Sequence, residues 1–570
     1  MILMPRDRIE RYTANGWWGR TTVDDLFRER VAAGGDALAL VDPANREQLT
    51  GHAPRRLSWG ALEAAVSAAA GRFQAAGLAK DAIVLIQLPN IVEAVVTFLA
   101  CARLGLIASP VAMQYREHEL RHIAGSLEPA AIVTIGRFGG HDHAAMMAGL
   151  SREVPSVGRL FVWGGTGLPG AEALSLDDPA VAVAPVAVDA NDVLTVCWTS
   201  GTEARPKGVP RCHNHWVVNA HVCAEACDMR PGEVILNPFP LINIASIGGM
   251  IMPWLLRSGV MVLHHPFDLP TFLGQIQAER VNFTIAPPAI LNMLLKNTDL
   301  MKRTDLSSVR IIGSGSAPLS PWMVEGYQRD FGIHVVNIFG SNEGASLFSG
   351  PRDIPDPVQR AQYFPRFGVP GIDWATTTSR MIRTRLVDLD TETEITAPGR
   401  PGELRIDGAM TFGGYWRADA LNAAAFDAEG FYRTGDLFEI AGDGDLSRFY
   451  RFVGRCKDII IRGGVNISPA ELDELLVGDP RIREAAVVGV PDANLGERVC
   501  AVVVPAPGFE PTLEDVVAYL RSRQVAVFKL PERLKVLPAL PRNPMGKVLR
   551  AEVRRLAGEP AGEPAGEKDA

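Results

Sequence analysis

The stretch WTSGTEARPKGVP at 198–210 sets Thr199, Ser200 and Thr202, the glycines Gly201 and Gly208, and Lys207 directly behind the apolar run VLTVCW. Hydroxyls, backbone N–H groups that glycine lets turn outward, and an ammonium together form the donor set of a phosphate cradle. The loop G-x-x-x-x-G-K-[ST] is excluded, because Lys207 precedes Gly208 and no hydroxyl follows it. A second group, Cys212, His213, His215, His221, Cys223 and Cys227, lies just beyond. On a helix, Cys223 and Cys227 share a face and admit a metal ion. The plainer reading, adopted here, is a buried helix in which cysteine packs as a small hydrophobe.

Such a cradle needs rigid elements to hold it. AIVLIQL at 82–88 reads as a buried strand, and the helix after it is expected to start at Asn90 as cap, with Glu93 at the capping-box position, and to end at Gly105. IASPVAM begins another strand, and strand–helix units recur at VLTVCW, VMVLH, VNFTIA with PAILNMLLK, VRIIGSG and HVVNIFG. This alternation predicts mostly parallel, doubly wound sheets, whose ligands gather at loops beyond the strand C-termini. The Thr199 loop, GSGSAP at Gly313 and FGSNEG at Phe339 each follow such a strand. From about Ala375 the runs shorten and turns multiply, which predicts a smaller antiparallel β unit. After Arg455, strands near 485–490, 500–504 and Leu534 with a helix near 513–521 predict a separate α+β domain. The tail AGEPAGEPAGEKDA lacks large apolar residues and is expected to be disordered.

With 570 residues the chain exceeds the usual domain of ~100 to 150 residues several times over. It is 47% apolar and 21% charged, a globular composition, and its net charge of −8 excludes a basic footprint for nucleic acid. A polyanionic ligand must then be held by local cations and amides. The opening MILMPRDRIERY is too short in apolar residues for a signal-peptide core. The apolar tracts at 82–113 and 245–264 are interrupted well short of ~18 clean residues, so no membrane span is expected. Seven cysteines without framework spacing fit reduced thiols, and a cytoplasmic location is expected.

Taken in order, five segments resemble the adenylate-forming superfamily of acyl-CoA synthetases, adenylation domains and luciferases. The Thr199–Gly208 loop is similar to T-S-G-T-T-G-x-P-K-G, with Glu203 and Ala204 departing from it; FGSNEG at 339–344 looks like Y-G-x-T-E. YRTGDL at 432–437 matches T-G-D, GRCKDIIIRGG at 454–464 matches the G-R-x-K-D hinge and its G-G loop, and PRNPMGKVLR at 541–550 matches P-x-x-x-x-G-K. The resemblance implies two domains, 1–455 with doubly wound sheets plus a small β-barrel-like subdomain, and a mobile α+β domain at 456–556, with the tail at 557–570. It also implies ATP, Mg2+ and coenzyme A as cofactor or co-substrates. Lys547 is then the catalytic lysine of adenylation, and Glu343 carries the metal. The nucleotide is implied to be held by Thr199, Ser200, Gly201, Thr202, Lys207, Ser316, Ala317, Pro318, Phe339, Gly340, Ser341, Asn342, Asp436 and Arg455. Lys457 takes the hinge position, and Gly463 and Gly464 the thioester-forming face of a CoA tunnel.

The opening ERYTANGWWGRTTVDDLF looks like that of aryl-acid and cyclic-acid activating enzymes. An aryl-acid pocket would need an asparagine near Ile242 for a 2-hydroxyl, and isoleucine offers none. The expected substrate is therefore an apolar alicyclic, plain aromatic or medium-chain acid, lined by Ile242, Asn243, Ser246 and Ile338. CoA is the expected acceptor because no carrier domain follows Lys547; the alternative is an acyl group loaded onto a carrier protein's phosphopantetheine. A homodimer is left open.

Overall fold

The computed structural model describes residues 1–165, 167–199, 206–462, 465–492, 495–523, 525–543 and 546–558. Two compact units emerge, Met1–Thr384 with Ile406–Tyr432, and Arg385–Arg405 with the chain from Arg433 onward.

The larger unit contains two sheets. In one, Ile83–Gln87 is flanked by Ile107–Pro110 and Ala131–Ile135, with Arg159–Trp163 and Ala171–Leu174 beyond; Val193–Trp198 lies outside Ile107–Pro110 and Gly208–Cys212 forms the edge. In the other, the order runs Ser346–Ser349, His334–Gly340, Ile311–Gly315, Phe283–Ile285, Val234–Asn237, Val260–Leu263, Leu38–Val41, Arg56–Ser58. Interior pairings are parallel, while the edge pairings to Gly208–Cys212, Ser346–Ser349 and Arg56–Ser58 are antiparallel. The interior strands are buried on both faces, which is why they read as unbroken apolar runs and not as alternation. The doubly wound arrangement expected from the sequence is present.

One local expectation fails. The helix Val92–Leu104 begins beyond Ile91 with no side-chain cap, although Gly105 does close it at φ +63°. Asn90 instead donates to the Phe239 carbonyl and accepts from the Leu241 N–H at 2.8 Å. Glu93 pairs with Arg46, which also grips Asp42, and all three are buried. Burial makes the difference: a carboxylate enclosed on every side needs a cation more than it needs a backbone amide. The helix His213–Ala226 is buried along most of its length, with Cys223 packed inside it and Cys227 buried at its C-cap.

In the smaller unit, Tyr432–Ile440 pairs antiparallel with Phe449–Arg455. Farther on, Ile482–Asp492 pairs antiparallel with Gly496–Pro505, and Arg533–Val536 runs parallel to the latter. Val499, Ala501 and Val503 pack with Leu472, Leu476, Val516 and Leu520, whereas Cys500, Val502 and Val504 pack with Leu540 and Val553. A run with no polar alternation is thus explained by a helix layer on each side. The last helix spans Arg550–Gly558, so the first two residues of the expected tail are helical; the rest lie outside the described residues. No described helix is long and apolar enough to cross a membrane.

Candidate active site

The Thr199–Lys207 segment connects a hairpin, because Val193–Trp198 and Gly208–Cys212 pair with Trp198 opposite Gly208. Its root is closed by Thr199 N–H donating to the Lys207 carbonyl at 3.0 Å, and Lys207 N–H donating to Thr199 Oγ1 at 3.3 Å. Ser200, Gly201 and Thr202, with Glu203 and Ala204, lie outside the described residues. The Lys207 ammonium sits 5.4 Å from the centre of the Tyr415 ring.

Two parallel strands deliver the next groups. Gly315 lies so close to the neighbouring strand that a Cβ would stand 2.0 Å from the Ile338 carbonyl oxygen, so this loop can leave the sheet only as glycine. Ser316 follows at φ +71°, and Ser316, Ala317 and Pro318 are exposed. At the end of His334–Gly340, Phe339 is half-buried edge-on to Phe364, and Gly340 is exposed. The chain then turns tightly: Gly344 N–H donates to Ser341 O, and Ser341 N–H to Ala345 O, each at 3.0 Å. Inside that turn sits Glu343, only 6% exposed, accepting a 2.9 Å hydrogen bond from the Tyr415 hydroxyl. Among the described residues no cation lies within ion-pair distance of this carboxylate. A buried carboxylate supplied only with a phenol is fit to take a hard, oxygen-seeking cation, and Mg2+ is one.

Asn342 does not stand idle beside it. Its amide nitrogen donates to the Trp198 carbonyl at 3.2 Å and its oxygen accepts from the Ile244 N–H at 2.9 Å. The side chain thereby joins the root of the phosphate loop to the segment expected to line the acid pocket. In that segment Ile242 is half-buried, and Asn243 caps the turn Ile244–Ser246 by accepting from Ser246 N–H at 3.2 Å. The Ser246 hydroxyl accepts from Asn237 at 2.8 Å and is fully buried. A π-helical turn, Ile247–Ile251, follows, an irregularity frequent at functional sites. Ile338, half-buried, packs over Gly313 together with Ile285, so this corner is apolar.

The smaller unit gathers the remaining groups. Asp436 and Arg455 face each other across the strand pair, and Arg455 Nε donates to Asp436 Oδ1 at 2.9 Å. The following turn is pinned by Cys456 N–H to the Gly435 carbonyl at 2.9 Å and carries Lys457 exposed on it. Lys547 closes a tight loop in which its N–H meets Asn543 Oδ1 at 2.9 Å and its carbonyl accepts from Asn543 N–H at 2.8 Å. Although the residue as a whole is exposed, crowding around its ammonium pushes its pKa below the ordinary 10.5; the Arg455 and Lys457 charges push the same way, against Asp436 and Asp458. Lys547, Arg455 and Asp436 therefore act on one another electrostatically within this unit. Gly463 and Gly464 lie outside the described residues.

Comparison with known proteins completes the picture. The AMP-binding enzyme pattern matches residues 27–416, and the AMP-binding enzyme C-terminal domain matches 471–547. The chain belongs to the AMP-binding enzyme family. It is 32% identical over 563 residues to a salicylyl-CoA synthase / salicylate adenylyltransferase of a Streptomyces species, covering 96% of each chain. It is 31% identical over 565 residues to a 2-hydroxy-7-methoxy-5-methyl-1-naphthoate–CoA ligase of Streptomyces carzinostaticus, covering 97% of this chain and 96% of that one. Among solved structures, ATP-bound MatB of Rhodopseudomonas palustris superimposes with a TM-score of 0.78 at 25% identity, over 95% of this chain and 99% of that one. The resemblance seen in the five motifs is thereby established, and with it an ATP-dependent, AMP-forming acid ligase. Two residues of this AMP-binding enzyme escaped the motif reading. Tyr415 sits in GGYW, where an aromatic reads as core, and Arg211 in VPRC, where a charge reads as surface; in fact Arg211 lies within the edge strand Gly208–Cys212 and is 1% exposed.

Proposed function

We propose that this enzyme condenses an apolar carboxylic acid with ATP, releasing pyrophosphate, and then passes the acyl group from AMP to the thiol of coenzyme A. The reading is supported by the Arg455–Asp436 pair, joined at 2.9 Å, and by the influence of both charges on the Lys547 ammonium. In the first half-reaction a carboxylate oxygen attacks the α-phosphorus and the bond to pyrophosphate breaks, so two anions must approach. An ammonium at that point stabilises the charge that builds up there, a contribution that is usually the largest single one in catalysis. Lys547 fills that role, Asp436 accepts from the ribose hydroxyls, and Arg455 both aligns Asp436 and donates to the sugar. Ser316 to Pro318 and Phe339 bracket the adenine, while Thr199, Lys207 and their loop hold the outgoing phosphates. Glu343 would hold Mg2+, which supplies charge neutralisation for the phosphate oxygens.

In the second half-reaction the thiol sulfur attacks the acyl carbon, AMP leaves, and the thiol proton is lost. We assign the boundary between 1–455 and 456–556 to a hinge at Lys457, whose turn follows directly on Arg455. Rotation there withdraws Lys547 and presents Gly463 and Gly464, which let a pantetheine arm pass close to the backbone. CoA is supported by both Streptomyces relatives, which are named for CoA products. ATP and CoA are substrates of the cytoplasm, where we place the reaction.

The lowered Lys547 pKa has a direct consequence. The ammonium, needed for adenylation, is lost as pH rises through a value below 10.5. The alkaline limb of kcat/KM for ATP, which reports the free enzyme, should therefore fall earlier than an ordinary lysine would dictate. The limb of kcat should shift upward, because bound phosphates favour the charged form. Pyrophosphate release followed across pH checks both; coincident limbs near the ordinary lysine value would remove Lys547 from this role.

On the acid, Ile242 favours a substrate without an ortho hydroxyl, and Asn243 Oδ1 already accepts from Ser246 N–H. The competing reading rests on the relatives, whose named acids carry a hydroxyl beside the carboxylate, with Asn243 as its contact. A pyrophosphate-release panel of benzoate, cyclohexanecarboxylate, octanoate and salicylate, with and without CoA, separates them. Benzoate should exceed salicylate by up to about 100-fold, the limit of what an apolar pocket achieves against an added hydroxyl. Faster turnover of salicylate overturns the apolar assignment, and turnover indifferent to CoA favours a carrier protein.

A further inference from the structure

Arg211 is the least expected side chain in the larger unit. It is 1% exposed, and no carboxylate lies within ion-pair distance of it among the described residues. Burying a guanidinium without a counter-ion is costly, so its position calls for a compensating purpose. Its hydrogen bonds go to main-chain carbonyls: Nη1 to Asn342 at 3.3 Å, Nη2 to Met410 at 3.1 Å and, more weakly, to His215 at 3.5 Å. Its Cζ lies over the Trp216 ring, 4.3 Å from the ring centre, a cation–π contact. Burial lowers its pKa to about 10, and Glu343 is among the charges that hold it up.

The two main carbonyls belong to the two segments that enclose Glu343. Asn342 immediately precedes it, and Met410 lies two residues before Phe412, whose N–H donates to the Glu343 carbonyl at 2.8 Å. The contact between these segments is tight. Gly344, at φ +85°, comes so near that a Cβ there would stand 1.8 Å from the Met410 carbonyl oxygen. His215 Nε2 meets the Thr411 carbonyl at 3.1 Å, so the buried helix His213–Ala226, which follows the strand of Arg211, supports the segment at a second point. The geometry points to Arg211 as the positioning residue that sets Glu343 for the metal by clamping Asn342 and Met410 in one planar fork. A lysine, with a single ammonium, cannot span both carbonyls in that fixed geometry. Arg211 touches neither substrate nor metal in this assignment.

The inference rests on Glu343 as the metal carboxylate, and the experiment keeps the two apart. Mn2+ serves as the probe: the full chain is titrated with Mn2+ in the presence of ATP, and free Mn2+ is counted by its EPR signal. ATP affinity is measured separately in EDTA, and circular dichroism melting confirms that each variant is folded at the assay temperature. Arg211→Lys should raise the half-saturating Mn2+ at least about tenfold, as loss of an outer support to a metal ligand does, with metal-free ATP affinity unchanged. Arg211→Gln should raise it further; if that variant does not fold, Arg211→Lys alone decides. A half-saturation within about twofold of wild type for folded Arg211→Lys, or an equal loss in EDTA, overturns the assignment, since the outer-support effect expected is tenfold or more. Glu343→Gln in the same assay should abolish the high-affinity Mn2+ response. If it does not, the metal reading falls and the Arg211 assignment with it; if it does while Arg211→Lys is silent, the Arg211 assignment alone falls.

Discussion

Lys547→Ala lowers adenylate formation by roughly 10²- to 10³-fold, the loss expected when one donor to a developing anionic centre is removed, while thioester formation from a supplied acyl adenylate and CoA continues nearly unchanged. The asymmetry follows from assigning this ammonium to one half-reaction only. It works where carboxylate and α-phosphate meet, and the hinge then takes it away. Single-turnover pyrophosphate release measures the first step, and CoA consumption from synthetic adenylate the second. Lys457→Pro should show the opposite pattern, because fixing φ in the exposed turn after Arg455 hinders rotation while Lys547 is kept, and losing the Lys457 charge only eases the pressure that lowers the Lys547 pKa. Equal slowing of both steps by Lys547→Ala would make the residue structural, and the two-conformation mechanism would be wrong.

Glu343→Gln should lower Mg2+-dependent ATP use by roughly two to three orders of magnitude, since charge neutralisation at transferred phosphoryl oxygens is worth several kcal/mol. The amide keeps the acceptor for the Tyr415 hydroxyl, and the carbonyl bond from Phe412 is untouched, so the fold should survive. The check is activity across a Mg2+ titration beside a melting curve. A variant that saturates at the wild-type Mg2+ concentration places the metal elsewhere.

Much of this was legible in the sequence because the features concerned are local. Periodicity and turn residues are properties of contiguous residues, so the runs at 82–88, 309–315 and 485–490 show in the sequence the strands Ile83–Gln87, Ile311–Gly315 and Ile482–Asp492. Motif order was equally local and carried the family, the reaction class and the candidate positions Thr199, Lys207, Glu343, Asp436, Arg455 and Lys547. Tertiary structure decided the rest, since partners distant in the chain cannot be read from either one alone. Asn90 and Glu93 look like a helix cap by spacing, yet Asn90 serves a chain segment some 150 residues away and Glu93 meets Arg46. Asn342 is a nucleotide-site candidate by position, and only the fold shows that its amide also ties Trp198 to Ile244. Arg211 and Tyr415 carried no sequence signal at all: Arg211 is buried against the Asn342 and Met410 carbonyls and half-buried Tyr415 meets Glu343 only when Asn342, Met410 and Phe412 are folded together, where desolvation strengthens each polar contact.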